Sequence, residues 1–116
     1  MGKNEHIGAF EQLALLAVMR LDDEAYGAKI QEELDRIGGR SAAISTIYIT
    51  LTRLEAKGMV TSSMGASSEV RGGRPRRYFR IEPAGLIALR EARATLLSMW
   101  DGLEEQFERI TGTTGG

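Results

Sequence analysis

With 116 residues, 42% of them apolar and 27% charged, and a mean hydropathy of −0.20, the chain suits one compact soluble domain rather than a large multi-site enzyme. A single core at this length hides roughly two-thirds of the unfolded chain's surface, so the chain can fold unaided, although a dimer adds burial. The absence of cysteine excludes disulfides, thiolate zinc sites and cysteine nucleophiles, the longest apolar run (Leu13 to Met19) is too short to span a membrane, and the N-terminus lacks a secretory apolar stretch, so the expected setting is the cytoplasm.

The net charge of −1 hides an uneven distribution. Residues 1–40 carry five basic and eight acidic side chains, 41–81 carry seven and two, and 82–116 carry three and six. Arg71, Arg74, Arg76, Arg77 and Arg80 crowd into the middle segment. They form either a solvated arginine-rich loop or a cationic surface aimed at one partner by its acidic flanks.

The first periodic stretch, about Gly8 to Leu21, places Phe10, Leu13, Leu16, Ala17 and Leu21 on one stripe, with Leu15, Val18 and Met19 widening it. A helix apolar on most sides is buried on most sides. Asp22, Asp23 and Glu24 break the pattern and offer carboxylates to cap the next helix; three adjacent acids cannot converge on one metal ion without long-range help. That helix carries Tyr26, Ile30, Leu34 and Ile37 at helical spacing and ends at Gly38-Gly39.

A third helix is expected from about Ser45 to Lys57, with Ile47, Leu51 and Leu54 inward and Gly58 as its stop. Its outer side presents Ser45, Ile49, Thr52, Arg53 and Ala56, with Thr46 and Tyr48 at the flanks. Short polar side chains permit close approach to a major groove, where Arg53 can reach a guanine edge or a phosphate and Ile49 a thymine methyl. The competing reading is an ordinary solvent face with Ile49 packed on a neighbour.

Beyond Val60 two short strand-like stretches bracket a turn containing Arg71, Gly72, Gly73, Arg74, Pro75, Arg76 and Arg77, the pattern of a β-hairpin. Glycine lets the backbone approach a phosphate and arginines supply charge for a minor groove. A nucleotide-binding loop would require a Gly-Lys-Ser/Thr ending and a following helix, and neither occurs. Three helices followed by a hairpin form the winged helix-turn-helix plan, in which the third helix reads the groove and the wing grips the backbone.

The last helix is expected to start at Pro83 and run unbroken to about Ile110. Leu86, Leu89, Arg93, Leu96, Trp100, Leu103, Phe107 and Ile110 are spaced alternately three and four apart, a heptad seam with one polar interruption. So long a seam exceeds what a small winged domain can cover, which predicts a homodimer joining this helix to its copy and to the apolar first helix, through Leu13, Leu16, Leu89, Leu96, Trp100, Leu103 and Phe107. Arg93 either fixes the register against a partner acid or extends its head to solvent. The expected organisation is a winged helix-turn-helix unit over 1–82, a dimerisation helix over 83–110 and a disordered tail over 111–116, in a mainly α fold with one small β-hairpin.

Four stretches, GAFEQLALLAVMRL (8–21), AYGAKIQEEL (25–34), IYITLTRLEAKGMV (47–60) and RGGRPRRYFRIEPAG (71–85), together resemble the PadR family of bacterial transcriptional regulators, specifically its compact subgroup with a single C-terminal helix. The resemblance implies a dimeric, usually repressing regulator on a palindromic operator, released by an effector. By position it puts Ser45, Thr46, Tyr48 and Arg53 on the recognition helix and Arg74, Arg76 and Arg77 on the wing. Two departures stand out: Ala43 and Ser45 replace the usual serine-glycine pattern at the recognition-helix entry, which shifts the expected cap to Ser45, and Glu82 stands where threonine commonly caps the last helix. Some short family members sandwich flat aromatic molecules between interface aromatics, which makes Trp100, Met99 and Phe107 candidate effector contacts; a tryptophan at a seam position also reads as plain interface core.

The opposing function class is a protein-interaction module that uses the seam and the basic hairpin without DNA. Catalysis is disfavoured because His6 is the single histidine and no cofactor-binding glycine pattern or paired carboxylates appear, so neither cofactor nor metal is expected.

Overall fold

The computed structural model describes residues 6–39, 41–65 and 75–112. The expected basic-turn residues Arg71 and Arg74 therefore lie outside the described residues. Helix α1 spans Ala9–Leu21 and starts where the Glu11 carboxylate accepts the Gly8 N–H at 2.9 Å, a first-turn acid satisfying one of the helix's free amides. It buries Ala14, Leu15, Ala17 and Val18, while Leu16 and Met19 on its far side stay exposed.

The acids that follow do not cap the next helix. Asp22–Glu24 form a 3-10 turn, with Asp22 at φ +55°, and helix α2 (Gly27–Arg36) begins behind Tyr26 without a side-chain cap bond. The reason is spacing: Ala25, fully buried, separates the carboxylates from the first amides of α2 and turns them to solvent. Glu33 instead ties α2 to α1, accepting Arg20 Nε at 2.7 Å and Arg36 Nη2 at 3.0 Å. The Arg20 and then the Arg36 hydrogen bonds hold its carboxyl below the usual carboxylate range.

Helix α3 (Ile44–Ala56) buries Ile47, Thr50, Leu51 and Leu54, and the Thr50 hydroxyl is satisfied by the Thr46 carbonyl at 2.9 Å. It starts one residue earlier than expected, behind Ala43. Ser45 is thus not its cap but its second residue, exposed on the outer side. Gly58, at φ +77°, stops the helix in a backbone region that side chains rarely adopt.

Strands β1 (Val60–Met64) and β2 (Arg77–Ile81) pair antiparallel, with Val60 opposite Ile81 and Ser62 opposite Phe79. Phe79 is buried, and its N–H donates to the Ala25 carbonyl at 2.8 Å, so the root of the wing is fastened to the 3-10 turn. The core joins Leu15 and Val18, Ile30 and Leu34, Ile47, Leu51 and Leu54, Met59, Val60 and Phe79, every one of them at most 3% exposed.

Helix α4 starts at Pro83 with Glu82 at its N-cap position, as expected, although the Glu82 carboxylate accepts the Thr61 hydroxyl at 3.1 Å rather than an amide of the helix. In place of the expected unbroken helix to Ile110 there are two helices. Helix α4 ends at Trp100, residues 101–103 turn, and a separate helix α5 runs over Glu104–Thr111. Asp101 takes an extended ψ of 128° and Gly102 a φ of +84°. Asp and Gly are both poor in helix interiors, and this local preference overrides the heptad spacing. Trp100 and Phe107 stack across the turn with centroids 4.8 Å apart. The expected tail also starts late, since Thr111 closes α5 with its hydroxyl on the Phe107 carbonyl at 2.7 Å, and residues 113–116 lie outside the described residues.

Only Gly85 and Ala88 of the last two helices are buried, and Leu89 packs partly against the core. The radius of gyration is correspondingly large at 17.1 Å, against about 13 Å for a compact globule of this length. No helix among the described residues is long and apolar enough to cross a membrane.

Candidate nucleic-acid interface

Helix α3 divides cleanly into faces. Ile47, Leu51 and Leu54 anchor it, which leaves Ser45, Thr46, Ile49, Thr52, Arg53 and Ala56 as one exposed strip. Ile49 is 59% exposed, so it is not packed on a neighbouring element. The strip is short-chained, with Arg53 as its one long side chain, and this shape lets a helix approach base edges closely.

Tyr48, also among the sequence candidates, is half-buried and serves as a brace. Its ring lies so close to Gly27 that a Cβ there would sit 2.7 Å from the hydroxyl, and its centroid is 6.1 Å from that of Phe79. The missing side chain at Gly27 lets α2 and α3 close on each other through this ring.

Two sets of ties border the strip. On the wing side, Glu55 accepts the Ser62 hydroxyl at 3.0 Å and Arg77 Nη2 at 3.4 Å, while Arg77 Nε donates to Ser62 at 3.1 Å. On the α1 side, Glu11 meets Lys57 Nζ at 3.4 Å and Arg53 Nη1 at 4.0 Å, and Lys57 also donates to the His6 carbonyl at 3.3 Å. Sequence reasoning missed Glu11, Glu55 and Lys57, because each works through a partner on another element. The one trace was that Glu55 and Lys57 adjoin the candidate Arg53 in the RLEAKG stretch.

Arg76 lies over the Tyr26 ring at 4.2 Å, and Tyr26 meets Tyr78 edge to face at 5.5 Å. These residues border a groove of about 710 Å³ between the wing and the acidic turn of Asp22, Asp23 and Glu24. The structure thus brings Ser45, Thr46, Ile49, Thr52 and Arg53 onto one helix face, with Arg77 on the wing strand beside it and Arg76 stacked on Tyr26.

The candidate contacts of the C-terminal arm separate into two places. Met99 borders a groove of about 340 Å³ with Ile7, Gln12, Ala88, Thr95 and Leu96, whereas Trp100 and Phe107 cover one another outside it. No group of histidine, aspartate and glutamate suited to a metal ion occurs among the described residues.

The model of the Transcriptional regulator PadR-like family matches residues 15–91. The chain belongs to the PadR-like family. That family is one of transcriptional regulators rather than enzymes, and the matched span runs from the middle of α1 to the first half of α4, taking in the whole wing. A transcriptional regulator of Mycobacterium tuberculosis is 44% identical over 75 residues, a stretch that covers 65% of this chain and 65% of that protein's own length. Among solved structures, a PadR family regulator from Eggerthella lenta is 30% identical with a TM-score of 0.64, covering 84% of this chain and 82% of that one. A PadR-like regulator from Bacillus cereus shares the fold at 20% identity and a TM-score of 0.64, over 89% of this chain and 91% of that one. The winged fold read from the sequence is the fold of this PadR-like protein.

Proposed function

We propose that this PadR-like protein is a cytoplasmic repressor that binds a palindromic operator in double-stranded DNA as a homodimer. In this reading Ser45, Thr46, Ile49, Thr52 and Arg53 face the major groove, Tyr48 sets the helix's seat, and Arg71, Arg74, Arg76 and Arg77 hold the adjacent backbone. The observation that carries it is the exposed strip of α3, short-chained and bordered by the cations of α3 and the wing.

Pairing with a second copy is supported by the exposed apolar side chains of the arm, Leu96, Leu97, Met99, Trp100, Leu103, Phe107 and Ile110, together with Leu16 and Met19 of α1. Such a surface is unusual on a monomer. A twofold dimer then sets its recognition helices about 34–36 Å apart, one turn of DNA. A small hydrophobic or aromatic effector held against Trp100 and Phe107 would release the operator by altering that pairing.

The test is fluorescence anisotropy on the DNA upstream of the protein's own gene and on a scrambled duplex across a salt series. Six to eight phosphate contacts per dimer predict a log–log salt slope of about −5 to −7, weakened in an Arg76→Ala/Arg77→Ala variant. Failure to bind either duplex, with dimerisation intact, would move the assignment to a protein-interaction module.

A further inference from the structure

The reading face of α3 is flanked on both sides by a carboxylate that holds cations. Glu55, on α3 itself, binds Arg77 of the wing directly and through Ser62; Glu11, on α1, binds Lys57 and Arg53 from the opposite side. Neither carboxylate is a freely solvated surface acid: the Glu11 side chain is 12% exposed and that of Glu55 33%. Both are pinned by additional neutral donors, the Gly8 N–H and the Ser62 hydroxyl. A cation held this way has two possible anions, its own carboxylate or a DNA phosphate, and reaching the phosphate means giving up the carboxylate.

We infer that Glu11 and Glu55 restrain the DNA surface proposed above, as built-in counter-anions that weaken its hold on phosphate whatever the sequence. The inference rests on that DNA reading. On random DNA only phosphate is offered, so exchanging carboxylate for phosphate gains little, and the two carboxylates also repel the backbone. On a matched operator the strip of α3 adds base-edge contacts, and these outweigh the exchange. A fixed exchange cost lowers affinity by the same factor on every duplex, and random DNA, which has no base-edge contacts to fall back on, is the one brought below the range in which it is occupied.

The experiment uses the full-length protein and 30-base-pair random duplexes beside the upstream fragment, with the variants Glu11→Gln, Glu55→Gln and a control, Glu105→Gln, which removes the same charge from the exposed arm. Glutamine keeps the size of the side chain and the acceptor for Gly8 or Ser62. Each of the first two variants should bind random duplex about three- to fivefold more tightly than wild type, as expected for releasing a weak, solvent-screened ion pair, and its salt slope should steepen by about one. Affinity for the upstream fragment should rise by about the same factor, so that the ratio of specific to random affinity holds, while the control stays within twofold of wild type on both duplexes.

Random-duplex affinity unchanged, or raised no more than in the control, would overturn the assignment for that residue. So would a loss of upstream-fragment affinity with no gain on random DNA, the signature of a strut that only positions the wing. A thermal midpoint recorded for each variant separates weakened folding from weakened binding. If wild type binds neither duplex, the DNA reading itself fails; if wild type binds and the glutamine variants behave as wild type, only the present inference fails.

Discussion

The winged unit and the C-terminal arm are about equally rich in apolar side chains, yet one is finished within the chain and the other is not. In the winged unit the large side chains Leu15, Ile30, Ile47, Leu51 and Leu54 are all completely buried. In the arm Leu96, Leu97, Met99 and Ile110 are each more than half exposed, and the bulkiest residue, Trp100, finds its aromatic partner only seven positions away. The same hydrophobic driving force operates in both. What differs is whether the surface that satisfies it is supplied in cis.

The sharpest way to break this comparison is a matched pair of truncations. Ile47→Ala should cost about 2–5 kcal/mol of unfolding free energy, the range for emptying a packed aliphatic site, measured by urea denaturation, and the variant should lose every downstream activity. Trp100→Ala should leave the far-UV dichroism of the winged unit intact but weaken self-association by about 2–4 kcal/mol, as for a central aromatic anchor, read by sedimentation equilibrium. Equal effects of Trp100→Ala on monomer folding and on association would erase the distinction.

The joint between the regions gives a smaller effect. A Cβ on Gly85 would lie 2.6 Å from the Met59 carbonyl oxygen, a backbone atom that cannot swing aside. Gly85→Ala should therefore destabilise by about 1–3 kcal/mol, the range for overpacking, observable as a lowered thermal midpoint. The smallest expected effect is a pH dependence confined to the winged unit. Glu33 titrates below its ordinary range because of Arg20 and Arg36. Its contribution to stability is therefore present above the usual carboxylate range and is lost as pH falls through the depressed value. Glu33→Gln should flatten that acid-side decline in denaturation curves while leaving neutral-pH association unchanged.

What could be read in the sequence follows from range. The three helices of the winged unit and the hairpin were legible because each carries its own period, and the exposed strip of α3 followed from the position of its buried stripe. The break at Gly102 was hidden because the heptad spacing continues through it, with Leu103 and Phe107 in register, while the backbone obeys the local Asp101-Gly102 preference. The 3-10 turn at Asp22–Glu24 was hidden because the buried Ala25 decides it. Glu11 and Glu55 reach partners 46 and 22 positions away, and no local pattern announces such pairs.

The seat of α4 has a geometric consequence. Met59's carbonyl accepts the Glu82 N–H at 2.8 Å and lies against Gly85, so the helix leaves the domain from a fixed fulcrum. Its 18 residues make a lever of about 27 Å at 1.5 Å per residue. A tilt of about 5° at the fulcrum would swing Trp100 through about 2 Å over that length. If two such levers are clasped at their far ends, a slight change in the clasp is returned to the fulcrum as rotation of a whole winged unit.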